Sequence, residues 1–134
     1  MVRDGISTIY AALGLAKRTP INFLGDGINR LLHIALTMLT NQGSIILIDE
    51  IENGFHYSFY PKLWEVIEHL AEKTKCQVFA TTHSYECISG ARELAKNDEL
   101  FRFIRLAKVD DEVVAKPFDS EGLEYALEHE WEVR

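Results

Sequence analysis

Ser44-Ile45-Ile46-Leu47-Ile48-Asp49-Glu50 is the stretch on which the fold turns. Four aliphatic side chains in a row, three of them β-branched, leave no polar face before the two carboxylates. A strand that is apolar at every position is covered on both sides, the pattern of a central strand in a parallel sheet. Downstream, residues 58–73 place Phe59, Leu63, Val66, Ile67 and Leu70 at helical spacing, with Pro61 in a first turn where it is tolerated. Gln77 to Thr82 is a second short apolar strand. Strand, helix and strand in this order make a βαβ unit, and the fold class predicted is α/β.

The flanks read outward from that unit. A helix begins near Asp26 or Gly27, with Ile28, Leu31, Leu32, Ala35, Leu36 and Leu39 as its apolar positions, and Asn41-Gln42-Gly43 ends it. Before it, Ile6, Ile9, Tyr10 and Leu13 predict a helix over 5–16, stopped by Thr19-Pro20 because a residue before proline avoids the α region. After the second strand comes a helix from Ser84 to Lys96. Phe101 to Val109 and Val113 to Phe118 follow as strands around an Asp110-Asp111 turn, and Glu121 to Trp131 closes as an acidic amphipathic helix.

A length of 134 residues predicts one domain, with 21–90 as its core and the hairpin and acidic helix in 99–134. With 47% hydrophobic and 26% charged residues, the composition excludes a disordered tail, a fibre or a low-complexity scaffold. No apolar run reaches the roughly 20 residues of a membrane span. Cys76 and Cys87 have no metal or redox spacing, and the amino-terminal residues lead into no signal-type block, so the expected location is the cytoplasm. Of the net charge of −7, residues 119–134 carry −5. Neither part has the basic excess of a polyanion-binding face, so direct nucleic-acid binding by this chain is not expected.

Chemistry is expected at the strand ends, because ligands of open parallel sheets bind beyond the carboxyl ends of the strands. Two adjacent carboxylates there are costly to desolvate without a cation or a proton. The alternation along a strand lets them divide labour, Asp49 on a magnesium ion and Glu50 on an attacking water. The alternative is an acidic pair that merely ends a strand in solvent. His83 closes the second strand beside them; on its own it would be a helix cap or a surface group. His33, His69 and His129 have no partner at metal spacing, and Trp64 and Trp131 read as packing residues.

In order along the chain, these stretches resemble the ATP-binding cassette superfamily. Leu24-Gly25-Asp26-Gly27-Ile28-Asn29-Arg30 is similar to its signature sequence, Ile45 to Glu50 to its Walker B strand with the catalytic glutamate, Glu52-Asn53-Gly54-Phe55-His56 to its D-loop, and Thr81-Thr82-His83-Ser84 to its switch-histidine loop. The nearest likeness is to non-transporter ATPases of the OLD and RecF-like kind, grouped with AAA proteins. The resemblance implies the parallel-sheet half of a P-loop NTPase, with Asp49 holding Mg2+, Glu50 and His83 catalytic, and Gly25, Asp26, Gly27, Asn53 and Gly54 binding ATP between paired subunits. It departs from the family where Gly25 replaces a serine and where Asp26 adds a negative charge that would repel a phosphate unless it caps its own helix. The free N–H groups of a helix start suit an anion, although a glycine turn before a capped helix explains the same residues.

One motif is missing. A phosphate-cradling loop needs glycines five apart followed by lysine, and no two of the glycines at 5, 14, 25, 27, 43, 54, 90 and 122 are so spaced. The resemblance is therefore to the carboxyl-terminal half of such an ATPase, whether a truncated gene, an excised piece or part of a split protein. Such a half is expected to be inactive alone and to pair with a second copy or with a chain supplying the Walker A lobe. Two other readings compete: a non-catalytic dimerisation module, and a metal-dependent phosphoesterase built on Asp49, Glu50, Glu52 and His83.

Overall fold

Ile46 and Ile48 turn inward from the first apolar strand, and Ile45 and Leu47 turn out, in a computed structural model that describes residues 9–12, 14 and 18–129. In chain order, β1 (Tyr10–Ala11) and β2 (Thr19–Pro20) pair antiparallel, and α1 (Asp26–Thr40) leads to β3 (Ile45–Ile48). Then α2 (Tyr60–Thr74) crosses to β4 (Gln77–Ala80), followed by the short α3 (Tyr85–Gly90). A hairpin of β5 (Phe103–Val109) and β6 (Glu112–Phe118) and a final helix, α4 (Ser120–Glu128), complete the described chain.

The βαβ unit is as the periodicity predicts. β3 and β4 are parallel neighbours, in register from Ile45 opposite Gln77 to Ile48 opposite Ala80. Helix α2 covers them with Leu63, Trp64, Ile67 and Leu70, and Pro61 lies in its first turn. Its C-cap, Lys75, adopts a left-handed backbone (φ 59), the conformation that ends many helices and that glycine accepts most readily. From the other side of the chain, α1 contributes Ile34 and Met38 to the same core. A second cluster, of Ile88, Ala95, Leu123, Ala126 and Leu127, sits under the hairpin. Phe101 packs against both clusters and meets the Trp64 ring edge-on at 5.9 Å.

Several expectations are corrected. The strand pair is covered on one side only among the described residues: Leu47 is 77% exposed, Ile45 63% and Phe79 49%. The continuous apolar run thus records a second face that these residues leave open. In α1 the predicted stripe is the packed one only in part: Leu31 and Ala35 pack against the core beside the buried Ile34 and Met38, while Ile28, Leu36 and Leu39 face out. The helix is apolar on more than one side, so spacing alone does not choose the buried face.

The helix expected over 5–16 is replaced, where residues are described, by the β1 strand. Gly14 has φ 73, incompatible with a right-handed helix, and the Ile21 N–H donates to the Ile9 carbonyl at 3.0 Å. The rest of that segment lies outside the described residues. The helix expected from Ser84 to Lys96 stops at Gly90, where any Cβ would come within 2.8 Å of the Tyr60 Cβ. Only a 3-10 turn, Leu94–Lys96, follows. Asp110 and Asp111 both have positive φ, 47 and 66, as a two-residue hairpin turn requires. In α4 the Asp119 side chain caps by accepting the Gly122 N–H at 2.8 Å, and Trp131 lies outside the described residues.

Candidate functional site

Asp49 and Glu50 leave the end of β3 through a sharp bend. Glu50 has φ 47, a left-handed backbone that costs a residue with a Cβ about 1–2 kcal/mol. The bend is held from three sides. The Glu50 N–H donates to the Thr81 hydroxyl at 2.9 Å. The Arg30 guanidinium, reaching from α1, donates to the Asp49 carbonyl at 2.7 Å and to the Glu50 carbonyl at 2.9 Å. After the bend, the Ile51 N–H donates to the Thr81 carbonyl at 2.9 Å and the Ile51 side chain enters the core, fully buried. The turn therefore converts a strand residue into a buried anchor in three positions, and Glu50 is the residue that turns.

The side chains at this end are linked across the two strands. The Thr81 hydroxyl donates to Asp49 Oδ1 at 2.5 Å, and Asn53 Nδ2 donates to Glu50 Oε2 at 2.5 Å. Glu52 Oε1 accepts the His83 N–H at 2.9 Å, which pins the start of the loop after β4 to the loop after β3. Burial pushes the Glu52 carboxyl up. The His83 N–H, the carboxyl's own backbone N–H, the Thr82 hydroxyl and the nearby His83 ring pull it down, and together they hold it below the usual carboxylate range. An ionised Glu52 accepts more strongly than a protonated one, so charge and geometry agree.

The glycines predicted to bind nucleotide are brought together by packing. Gly25 has φ 92 and stands just ahead of α1. A Cβ on Gly27 would lie 2.6 Å from the Gly54 carbonyl oxygen, so the start of α1 rests directly on the backbone after β3. Asp26 does not cap its helix: no side chain caps α1, and Asp26 is its first residue. Instead, the Asn29 amide and backbone N–H both donate to the Gly25 carbonyl, at 3.1 and 3.3 Å. Asp49, Glu50, Thr81 and Asn53 thus form one hydrogen-bonded cluster at the strand ends. The His83 N–H is held separately by Glu52, and Gly25, Asp26, Gly27 and Gly54 sit at the α1 start beside them.

Two residues here lie inside the signature-like and switch-like stretches but receive no role from the motifs. Arg30 and Thr81 act through backbone carbonyls, an N–H and one carboxylate oxygen, and sequence shows only their types. Among the described residues, no three His, Cys, Asp or Glu side chains are placed to hold a metal ion together. A single carboxylate with one oxygen taken by Thr81 suits a magnesium ion that brings phosphates and water as its other ligands; a resident metal needs more donors. A groove of 510 Å3 runs between α1 and the free edge of β3, from Thr37 to Asp49.

Under the site, Cys87 is fully buried, its carbonyl accepts the Trp64 indole N–H at 2.8 Å, and burial raises its thiol to about 11. Cys76 is buried as well, whereas His33, His69 and His129 are exposed. No helix among the described residues is long and apolar enough to cross a membrane.

Residues 8–88 match the model of a family described as an AAA ATPase domain. The chain is 31% identical over 122 residues to a protein named ATP/GTP phosphatase from Helicobacter pylori (strain ATCC 700392 / 26695). That alignment covers 87% of this chain and 33% of the relative, so the chain spans about a third of the length of the curated protein it matches. Its fold is similar, with a TM-score of 0.59 at 15% identity, to a solved chain from work on ATP-driven dimerization and DNA-stimulated activation of SMC ATPases. The likeness covers 84% of this chain and 65% of the other, and it gives a mixed α/β fold of the P-loop NTPase kind.

Proposed function

This chain belongs to the AAA ATPase domain family, and from that premise we propose that it is the carboxylate-bearing part of an ATPase of the ATP-binding cassette, OLD or RecF-like type. The reading rests above all on one observation: the Asp49-Glu50 pair leaves β3 immediately beside the Thr81-His83 end of the adjacent parallel strand, joined to it by the Thr81 hydroxyl and by Glu52. In this reading Asp49 supplies a carboxylate oxygen to Mg2+, which would neutralise phosphate charge. Glu50, aimed by Asn53, accepts the proton of the attacking water. His83 donates toward the terminal phosphate, and Gly25 to Gly27 offer free N–H groups to the nucleotide of a paired subunit. The name of the curated relative extends the substrate class to purine nucleoside triphosphates.

These 134 residues hold no Walker A spacing, and most of the binding energy for a triphosphate comes from that loop. The chain alone is therefore proposed to bind ATP weakly and to turn it over little, and to act with a second copy or with a chain that supplies the lobe. Calorimetric titration with MgATP tests this directly. Affinity weaker than micromolar agrees with it, and micromolar binding by this chain alone overturns it. Turnover restored by a phosphate-loop-bearing partner, and lost again in Glu50→Gln, would establish the role of the strand-end pair.

The open side of β3 and β4 favours a second reading, a non-catalytic interaction module. Ile45, Leu47 and Phe79 form an apolar strip on a sheet with both edges unpaired among the described residues, and such strips invite association. A chain that stays monomeric in sedimentation at high concentration argues against that module. The metal-dependent phosphoesterase is disfavoured by the donor set, which offers no multi-ligand cage among the described residues.

A further inference from the structure

We propose that Thr81 is a positioning residue for the strand-end pair: its one hydroxyl orients Asp49 and holds the bend that aims Glu50, leaving the second Asp49 oxygen for a divalent cation. This rests on the magnesium reading of Asp49 above and adds to it the group that prepares that carboxylate.

The hydroxyl has one proton and two lone pairs, and both kinds of capacity are used. It donates to Asp49 Oδ1 at 2.5 Å and accepts the Glu50 N–H at 2.9 Å. Thr81 is itself fixed on the same two stretches of chain. Its N–H donates to the Ile48 carbonyl and its carbonyl accepts the Ile51 N–H, each at 2.9 Å. The hydroxyl is thus bracketed to the residue before the pair and to the residue after it, and its position follows from the parallel register. With Arg30 on the Asp49 and Glu50 carbonyls, both carbonyls and the Glu50 N–H are engaged before any ligand arrives. Pre-orientation of this kind is what second-layer hydrogen bonds supply to a metal-binding carboxylate, and losing such a partner typically costs 10–100-fold in metal affinity.

The test compares Thr81→Val, which keeps the shape but removes donor and acceptor, with Thr81→Ser, which keeps both. Each folded chain is titrated with MnCl2, with and without ATP, while paramagnetic broadening of backbone amide resonances is followed. In the wild type with ATP at millimolar excess, where the phosphates supply the remaining ligands, broadening is expected to centre on residues 49–50 and 81–83 and to vanish in Asp49→Asn. Thr81→Ser should keep the wild-type midpoint within about twofold. Thr81→Val should need about tenfold more Mn2+ for the same broadening. Equal midpoints for Thr81→Val and wild type overturn the positioning role and leave the magnesium reading intact. Absence of selective broadening in the wild type, even with ATP, removes the metal role of Asp49 and this inference with it. If Thr81→Val fails to fold, Thr81→Ala carries the same comparison.

Discussion

Gly27 is the residue whose side chain is most tightly forbidden. It lies in a helix, where alanine would ordinarily gain about 0.5–1 kcal/mol. A methyl group 2.6 Å from the Gly54 carbonyl oxygen cannot stay there without moving backbone, and overpacking of that kind costs about 1–3 kcal/mol. The clash outweighs the propensity, so Gly27→Ala is expected to lower stability by about 1–2 kcal/mol in urea denaturation and to shift the amide resonances of Asn53 and Gly54. Glu52 gives a pH signature. Because the folded state holds its carboxyl below the ordinary range, its contribution is fully present above the unfolded value near 4.5 and is lost as pH falls through the folded one. The stability difference between wild type and Glu52→Gln should therefore shrink between pH 6 and pH 3, as measured by urea unfolding at a series of pH values. A difference that stays constant over that range would show that the carboxylate charge contributes nothing.

Among the elements, α2 carries the plainest test. Lys75 ends it in a left-handed conformation that only glycine adopts without penalty. Lys75→Gly is expected to raise stability by about 0.5–1 kcal/mol, seen as a higher urea midpoint at unchanged slope. The elements were also unequally legible. β3, α2 and β4 follow from apolar spacing and the hairpin from its Asp110-Asp111 turn, although β3, β4 and β6 leave many of their apolar side chains exposed. The helix of residues 5–16 did not survive where the chain is described, because Gly14 takes a positive φ that spacing cannot register. The predicted stripe of α1 holds at Leu31 and Ala35 but misses Ile34 and Met38, because Ile28 and Leu36 are as apolar as those two and the choice between them belongs to tertiary packing. In the candidate site, Asp49, Glu50 and His83 could be read from motif order. Arg30 and Thr81 could not, since their partners are backbone atoms that any sequence would provide.

For the whole molecule, the two apolar clusters and the uncovered strip set the solution behaviour. Phe101 and Trp64 join the clusters, so Cys87 beneath them should react with a thiol reagent only as the chain unfolds. Its full burial and a thiol raised to about 11 both withhold the thiolate. Labelling at pH 8 that runs faster than global unfolding would contradict this. The strip of Ile45, Leu47 and Phe79 should drive concentration-dependent association, and Leu47→Lys should reduce it in sedimentation velocity without loss of stability, because Leu47 is 77% exposed. One consequence reaches beyond the single molecule. The bend at position 50 would be easier to make with asparagine or glycine than with glutamate, so all that folding asks of an acid there is the exposed hydrogen bond from Asn53. If Glu50 has the water-activating role proposed for it, a lineage that lost that role would drift at position 50 toward those two residues, and the chain would become sturdier as it fell silent.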